Sequence, residues 1–187
     1  MNILVISGSR NPQGQTARAV DSFVKGLEAE GGACETVFLP SRVIERCRQC
    51  DDDGWGLCRK EGRCIIEDDF AGLLDKLRKA DAAVFATPVY FADLSESLKA
   101  FLDRLRRVLR NDTAKSGIVA KPVAGICVAG GRGGGSPFCS FLLERTLTTC
   151  GFDVLDMVPV RRQNLSMKLP ILEAAGKNLA AYRASTD

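Results

Sequence analysis

Five apolar runs, each followed by a stretch of helical periodicity, constrain this chain more than any other feature. The runs are "ILVIS" (3–7), "CETVFL" (34–39), "AAVFATP" (82–88), "VAGICVAG" (123–130) and "DVLDMVPV" (153–160). They are mostly apolar throughout, with little alternation of apolar and polar positions. That pattern belongs to strands of a parallel sheet covered on both faces. Between them, apolar residues recur at helical spacing. The first set is Ala17, Val20, Val24 and Leu27, and the second is Phe70, Leu73, Leu74 and Leu77, with Asp68 or Asp69 as the N-cap. Leu94, Leu98, Phe101, Leu102 and Leu105 mark a third face, and Phe138, Phe141, Leu142, Leu147 and Cys150 a fourth. A last helix is predicted over 171–183. Strand and helix alternate without repeat or low-complexity tail, so residues 1–187 read as one doubly wound α/β domain. Such a sheet binds ligands beyond the carboxyl ends of its strands, which directs attention to the loops after each strand.

Composition narrows the chemistry. The chain has no histidine, so Ser–His–Asp and Cys–His hydrolases and imidazole-ligated zinc are excluded. The net charge of +3 is too small to imply a nucleic-acid partner. The basic run "RLRRVLR" (104–110) reads as the solvated face of a helix rather than a nucleic-acid contact. No apolar run approaches the ~20 residues of a membrane helix, and "MNILVISGSR" lacks the basic start of a secretory leader. A cytoplasmic location without membrane or nucleic-acid partners is expected. There thiols stay reduced, and Cys34, Cys127, Cys139 and Cys150 read as buried small hydrophobes.

Three loops carry ligand-binding character. "SGSRNPQGQT" (7–16) joins the first strand to a helix and is rich in hydroxyls and glycine. It can wrap a phosphate at a helix N-terminus. It matches neither GxxxxGK[ST] nor GxGxxG, which points to a mononucleotide. "TPVYFADLSESLKAFLDR" (87–104) places a proline and two aromatics where a planar ring could rest. "GGRGGGSP" (130–137) offers open backbone N–H groups to the edge of a flat ligand.

These segments resemble the NADPH-dependent FMN reductase and iron–sulfur flavoprotein families. "GSRNPQGQT" is similar to their phosphate loop and "TPVYFADLSESLKAFLDR" to their isoalloxazine loop, the more specific match. The resemblance covers roughly residues 1 to 160. It implies a flavodoxin-like three-layer α/β/α sandwich with strand order 2-1-3-4-5, bound FMN, NAD(P)H as co-substrate, and a homodimer or homotetramer. By the same resemblance Ser7, Ser9, Arg10, Gln15 and Thr16 would hold the phosphate. Pro88, Val89, Tyr90 and Phe91 would lie along the ring, and Gly130 and Gly131 would face its pyrimidine edge. The implied activity is an oxidoreductase acting on a small-molecule redox substrate such as a quinone or dioxygen, or on a ferredoxin-like protein. Hydride transfer to a flavin needs positioning rather than a protein base, so a chain without histidine can support it.

The remaining feature is "CRQCDDDGWGLCRKEGRC" (47–64), inside a connection running from residue 40 to 68. Connections beyond about 12–15 residues in a compact domain are functional or internally stapled. Cys47, Cys50, Cys58 and Cys64 form an all-thiolate set, open to a 4Fe–4S cluster, to zinc or to metal-free thiols beside a substrate. The segment resembles the compact motif of the iron–sulfur flavoproteins, C-x₂-C-x₂-C, but departs from it in its second gap, where "DDDGWGL" is inserted. A plain FMN or quinone reductase, with the cysteine loop as a lid or a zinc site, is the alternative. Trp55 would cover the centre or anchor the loop.

Overall fold

A computed structural model describes residues 1–182. Five parallel strands, β1 (Asn2–Ser7), β2 (Ala33–Phe38), β3 (Ala82–Pro88), β4 (Pro122–Ala129) and β5 (Asp153–Arg161), form one sheet in the order β2-β1-β3-β4-β5. The helices are α1 (Gln15–Ala29), the one-turn α2 (Leu57–Lys60), α3 (Asp69–Lys79), α4 (Glu96–Val108), α5 (Ser136–Cys150) and α6 (Leu165–Ala181). The expected order 2-1-3-4-5 is therefore observed.

The strands are apolar throughout because both faces are covered. Ile3 and Val5 of β1 point to a core shared with Phe23 and Leu27 of α1 and Leu172 of α6. Leu4 and Ile6 point the other way, to a core with Phe70 of α3, Phe101 and Leu102 of α4, and Leu143 of α5. β3 splits in the same way, with Ala82, Val84 and Ala86 on one side and Ala83 and Phe85 on the other. This period-2 division of an unbroken apolar run is what a two-faced parallel sheet requires. No described helix is long and apolar enough to cross a membrane.

Three expectations about elements are corrected. Phe138 and Phe141 are exposed, and the inward face of α5 is Cys139, Leu143, Leu147 and Cys150. The last helix starts at Leu165 rather than 171 and carries Pro170 as an interior residue, which removes one backbone hydrogen bond; its expected end, residue 183, lies outside the described residues. Cys127, Cys139 and Cys150 are buried as expected, but Cys34 is only half-buried because β2 is an edge strand. Burial pushes the Cys150 thiol up to about 12.

The layer of α1 and α6 is held by facing glycines. A Cβ on Gly26 would lie 1.9 Å from the Glu173 carbonyl oxygen, and one on Gly176 would lie 2.0 Å from that of Phe23. Each backbone fits where the other lacks a side chain, so added volume has no flexible neighbour to displace. Gly176→Ala is expected to destabilise the fold by about 1–3 kcal/mol in urea unfolding. A variant as stable as the wild type would show that the two helices can slide apart freely.

Candidate functional site

The loops after β1, β3 and β4 meet at the carboxyl end of the sheet around a cleft of about 460 Å³. That volume lies in the range of small-molecule sites. The first loop is folded on itself by its own side chains. The Ser7 hydroxyl accepts from the Ser9 N–H at 3.3 Å, and the Ser9 hydroxyl accepts from the Asn11 N–H at 3.3 Å. Asn11 Oδ1 accepts from the Gln13 N–H at 3.0 Å, and the Gly14 N–H donates to the Asn11 carbonyl at 3.2 Å. Gly14 then starts α1 without a side-chain cap, and no acidic residue stands in the helix's first turn. The positive end of the helix dipole and its first N–H groups are left for an anion. Thr16 is buried there, and the Gln15 side-chain oxygen is buried with no hydrogen-bond partner among the described residues. A buried amide end without a partner needs an outside group to satisfy it.

The second loop is tied to the first. The Gly8 N–H donates to the Ala86 carbonyl at 2.8 Å, and the Ser97 hydroxyl donates to the Gly8 carbonyl at 3.2 Å. Ser95 caps α4 through the Leu98 N–H, and a Cβ on Gly8 would lie 2.2 Å from the Ser95 hydroxyl oxygen. Only glycine lets these loops approach so closely. Beyond Pro88 the chain makes a tight reversal in which Tyr90 and Asp93 exchange backbone hydrogen bonds of 3.0 and 2.9 Å. Its two central residues, Phe91 and Ala92, have φ of +49° and +65°, a left-handed conformation that a bulky side chain rarely adopts. In the third loop a Cβ on Gly135 would lie 2.7 Å from Ala92 Cα, whereas one on Gly130, Gly131 or Gly134 would meet nothing within 4 Å. Those three glycines face open space at the cleft.

Ser9, Gln15, Thr16, Pro88, Val89, Tyr90, Gly130 and Gly131 all line this cleft. Ser7, Arg10 and Phe91 do not: Ser7 is buried beneath the first loop, Arg10 is exposed, and Phe91 projects fully into solvent. Sequence reasoning missed Val128, Ala129 and Gly134 as lining residues. The first two end the apolar fourth strand, and the third belongs to the glycine run, so position after a strand was the available signal.

The four clustered cysteines line a second cavity of about 20 Å³. Four thiols are the ligand type of a zinc or iron–sulfur site, but their placement and the small cavity do not fit such a group as they stand. Among the described residues no three Cys, Asp or Glu side chains are placed to hold a metal ion. The cavity wall depends on Arg104 of α4. Its guanidinium pairs with Asp68 at 2.6 and 2.9 Å, and both side chains are 1% exposed. It also donates to the Glu45 carbonyl at 3.1 Å and to Cys64 Sγ at 3.4 Å, and lies 4.3 Å over the Phe70 ring. Asp68 in turn accepts from the Glu45 N–H at 2.8 Å and caps α3 through Phe70. The reading of residues 104–110 as a solvated face is thus overturned at Arg104.

A sequence profile of the family described as NADPH-dependent FMN reductase matches residues 1–167. The chain belongs to the NADPH-dependent FMN reductase family. An iron–sulfur flavoprotein of Methanocaldococcus jannaschii is 34% identical over 57% of the chain and 52% of its own length, so the match spans about half of that relative. A second iron–sulfur flavoprotein of the same organism is 32% identical over 86% of the chain and 75% of its own length. A flavodoxin from the domain Archaea superposes with a TM-score of 0.62 at 13% identity, covering 97% of each chain, which establishes a flavodoxin-like fold. Within this NADPH-dependent FMN reductase framework, the cleft occupies the switch between β1 and β3, where the chain's winding reverses.

Burial alone would raise the Asp68 pKa, but the Arg104 guanidinium and the N–H groups of Glu45 and Phe70 outweigh it and hold the carboxyl below the usual range. A depressed folded pKa contributes stability above the ordinary carboxylate value of about 4, and that contribution disappears as pH falls through the folded value. Asp68→Asn leaves Arg104 buried without its counter-charge and is expected to cost about 3–5 kcal/mol at pH 7. The difference from wild type should shrink below about pH 4. Equal urea stability at pH 7 would mean that the pair does not hold the loop.

Proposed function

We propose that this chain binds FMN in the cleft and acts as an NAD(P)H-dependent FMN oxidoreductase of the iron–sulfur flavoprotein type, with a 4Fe–4S cluster on Cys47, Cys50, Cys58 and Cys64. The carrying observation is the convergence of the uncapped α1 N-terminus, the orphaned Gln15 amide and three open glycines on one cleft. FMN, when bound, accepts a hydride and returns electrons singly or in pairs.

The chain's own residues bind and orient. The first N–H groups of α1 and the Thr16 hydroxyl hold the phosphate, with the Gln15 amide turned so that its N–H faces it. Pro88, Val89 and Tyr90 set the depth of the ring but contribute few donors to it. Pro88 has no N–H, the Val89 N–H is taken up by the Val128 carbonyl at 2.9 Å, and the Tyr90 N–H by Asp93. Donation to the polar edge of the ring therefore falls to the backbone of residues 130–134. A nicotinamide or small acceptor reaches the ring from the open side of the cleft, and Phe91, at the exposed tip of the second loop, stands at that approach. The all-thiol donor set, with no histidine in the chain, and the names of the iron–sulfur relatives support the cluster. Phe138 and Phe141, exposed on α5, are apolar surface that a homodimer would cover.

Two variants test this assignment. Thr16→Ala removes one donor to a charged group and should raise the FMN dissociation constant about tenfold, measured by flavin fluorescence quenching. Unchanged affinity would take this loop out of the site. Cys58→Ser should abolish iron and acid-labile sulfide while FMN remains bound; full iron and sulfide would remove Cys58 from the ligands.

A further inference from the structure

The turn after β5 does not line the cleft, yet it holds the glycine loop from behind. Arg161 ends β5, and its N–H donates to Asn164 Oδ1 at 2.8 Å, which fixes the turn leading into α6. Gln163 is carried on that turn, and its Nε2 donates to the Gly131 carbonyl at 3.1 Å. The contact continues at Gly133, where an added Cβ would lie 2.4 Å from Gln163 Oε1 and 3.0 Å from Arg161 Cβ. Gly133, with a φ of +76°, lets the loop lie directly on the turn. On the other side Gly130, Gly131 and Gly134 line the cleft, and neither Arg161 nor Gln163 does. The loop therefore stands between the cleft and the β5–α6 turn. Where its carbonyls go decides where its N–H groups point. The Gly130 carbonyl accepts from the Gly133 N–H at 2.7 Å within the loop, and the Gly131 carbonyl is taken by Gln163. No described peptide bond is cis, and in a trans peptide the C=O and N–H point in opposite directions. The Arg132 N–H is thus turned away from Gln163. Neither it nor the Gly131 N–H has an acceptor among the described residues.

We propose that Gln163 is a positioning residue: by holding the Gly131 carbonyl from behind, it presents the Arg132 N–H to the cleft as a donor for the polar edge of a flavin ring. This rests on the reading of the cleft as a flavin site. Without the tie, the Gly131–Arg132 peptide is free to turn over, since Gly131, at φ +48°, has no side chain to resist the rotation. A peptide turned over would point a carbonyl oxygen at the cleft and withdraw the donor. An acceptor on the ring facing that oxygen would lose its hydrogen bond. The amide of Gln163 supplies the tie without adding a charge beside the cleft.

The test compares the full chain with Gln163→Ala and Gln163→Glu, titrated separately with FMN and with riboflavin and followed by flavin fluorescence. Riboflavin carries the same ring without the phosphate, so it reports the ring's contacts alone. Glu keeps the size of Gln and its packing on Gly133 but, ionised at pH 7, has no hydrogen to donate. Both variants should bind both flavins about fivefold more weakly than the wild type, by the same factor for each flavin. Their urea midpoints should match the wild type, because Gln163 is exposed. A pure charge effect would weaken only the Glu variant, and a pure packing effect only the Ala variant; either pattern overturns the proposal, as does wild-type affinity in both. A loss confined to FMN also overturns it, since the effect would then lie at the phosphate. A wild type that binds neither flavin overturns the reading of the cleft itself, and the role of Gln163 with it.

Discussion

Arg104 and Asp68 form an ion pair with both side chains 1% exposed, and the whole connection after β2 is organised by it. One guanidinium reaches Glu45 before the cysteine segment and Cys64, Ile66 and Asp68 at its end. It therefore closes the chain from 45 to 68 into a loop held against α4. Asp68 also starts α3, so loop closure and helix initiation share one carboxylate. Buried ion pairs contribute little net stability compared with apolar packing, because both charges lose their hydration. Their value is specificity: a guanidinium fixed by five acceptors tolerates one arrangement of the loop and few others. That is the property a four-thiol cavity needs, since its thiols come from positions spread over residues 47 to 64 with little regular structure between them.

α4 connects the two candidate sites mechanically. Its cap, Ser95, is bonded into the loops of the candidate cleft, and Arg104 and Arg107 line the cysteine cavity. Nine residues at about 1.5 Å each place the two regions roughly 14 Å apart along the helix. A rigid helix fixes that separation without any loop having to do so. The loops of the candidate cleft are held for a related reason. Gly8 and Gly135 each occupy a contact too close for a side chain, so three loops lock into a single cleft. The left-handed Phe91–Ala92 reversal is conformational strain held in place by that packing, next to the site where a substrate would approach.

Most of the fold was legible because burial on both faces of the sheet imposes apolar runs that no loop or amphipathic helix mimics. α5 was misread for a physical reason. Phe138 and Phe141 are apolar but face outward, while Cys139, at the adjacent position, faces the core beside Leu143. The cleft was legible through position: loops after the strands had to carry it, and eight of the named residues meet there. Ser7, Arg10 and Phe91 lie outside the cleft lining, because sequence does not reveal which way a loop residue turns. Arg104 was illegible altogether. A run of four arginines with apolar residues between them is ordinarily a wet helix face, and only the tertiary position of Asp68, 36 residues away, makes one of them the centre of a wall.

The account rests on two occupants, a flavin in the cleft and a sulfur-bridged iron cluster among the four thiols. The most direct test is the visible spectrum of anaerobically purified protein, with iron and acid-labile sulfide measured on the same sample. Flavin bands on a broad shoulder near ~400 nm, with about four irons and four sulfides per chain, are predicted. A colourless protein that does not take up FMN would contradict the assignment of the cleft, and clean flavin bands without iron would contradict that of the cysteine cavity.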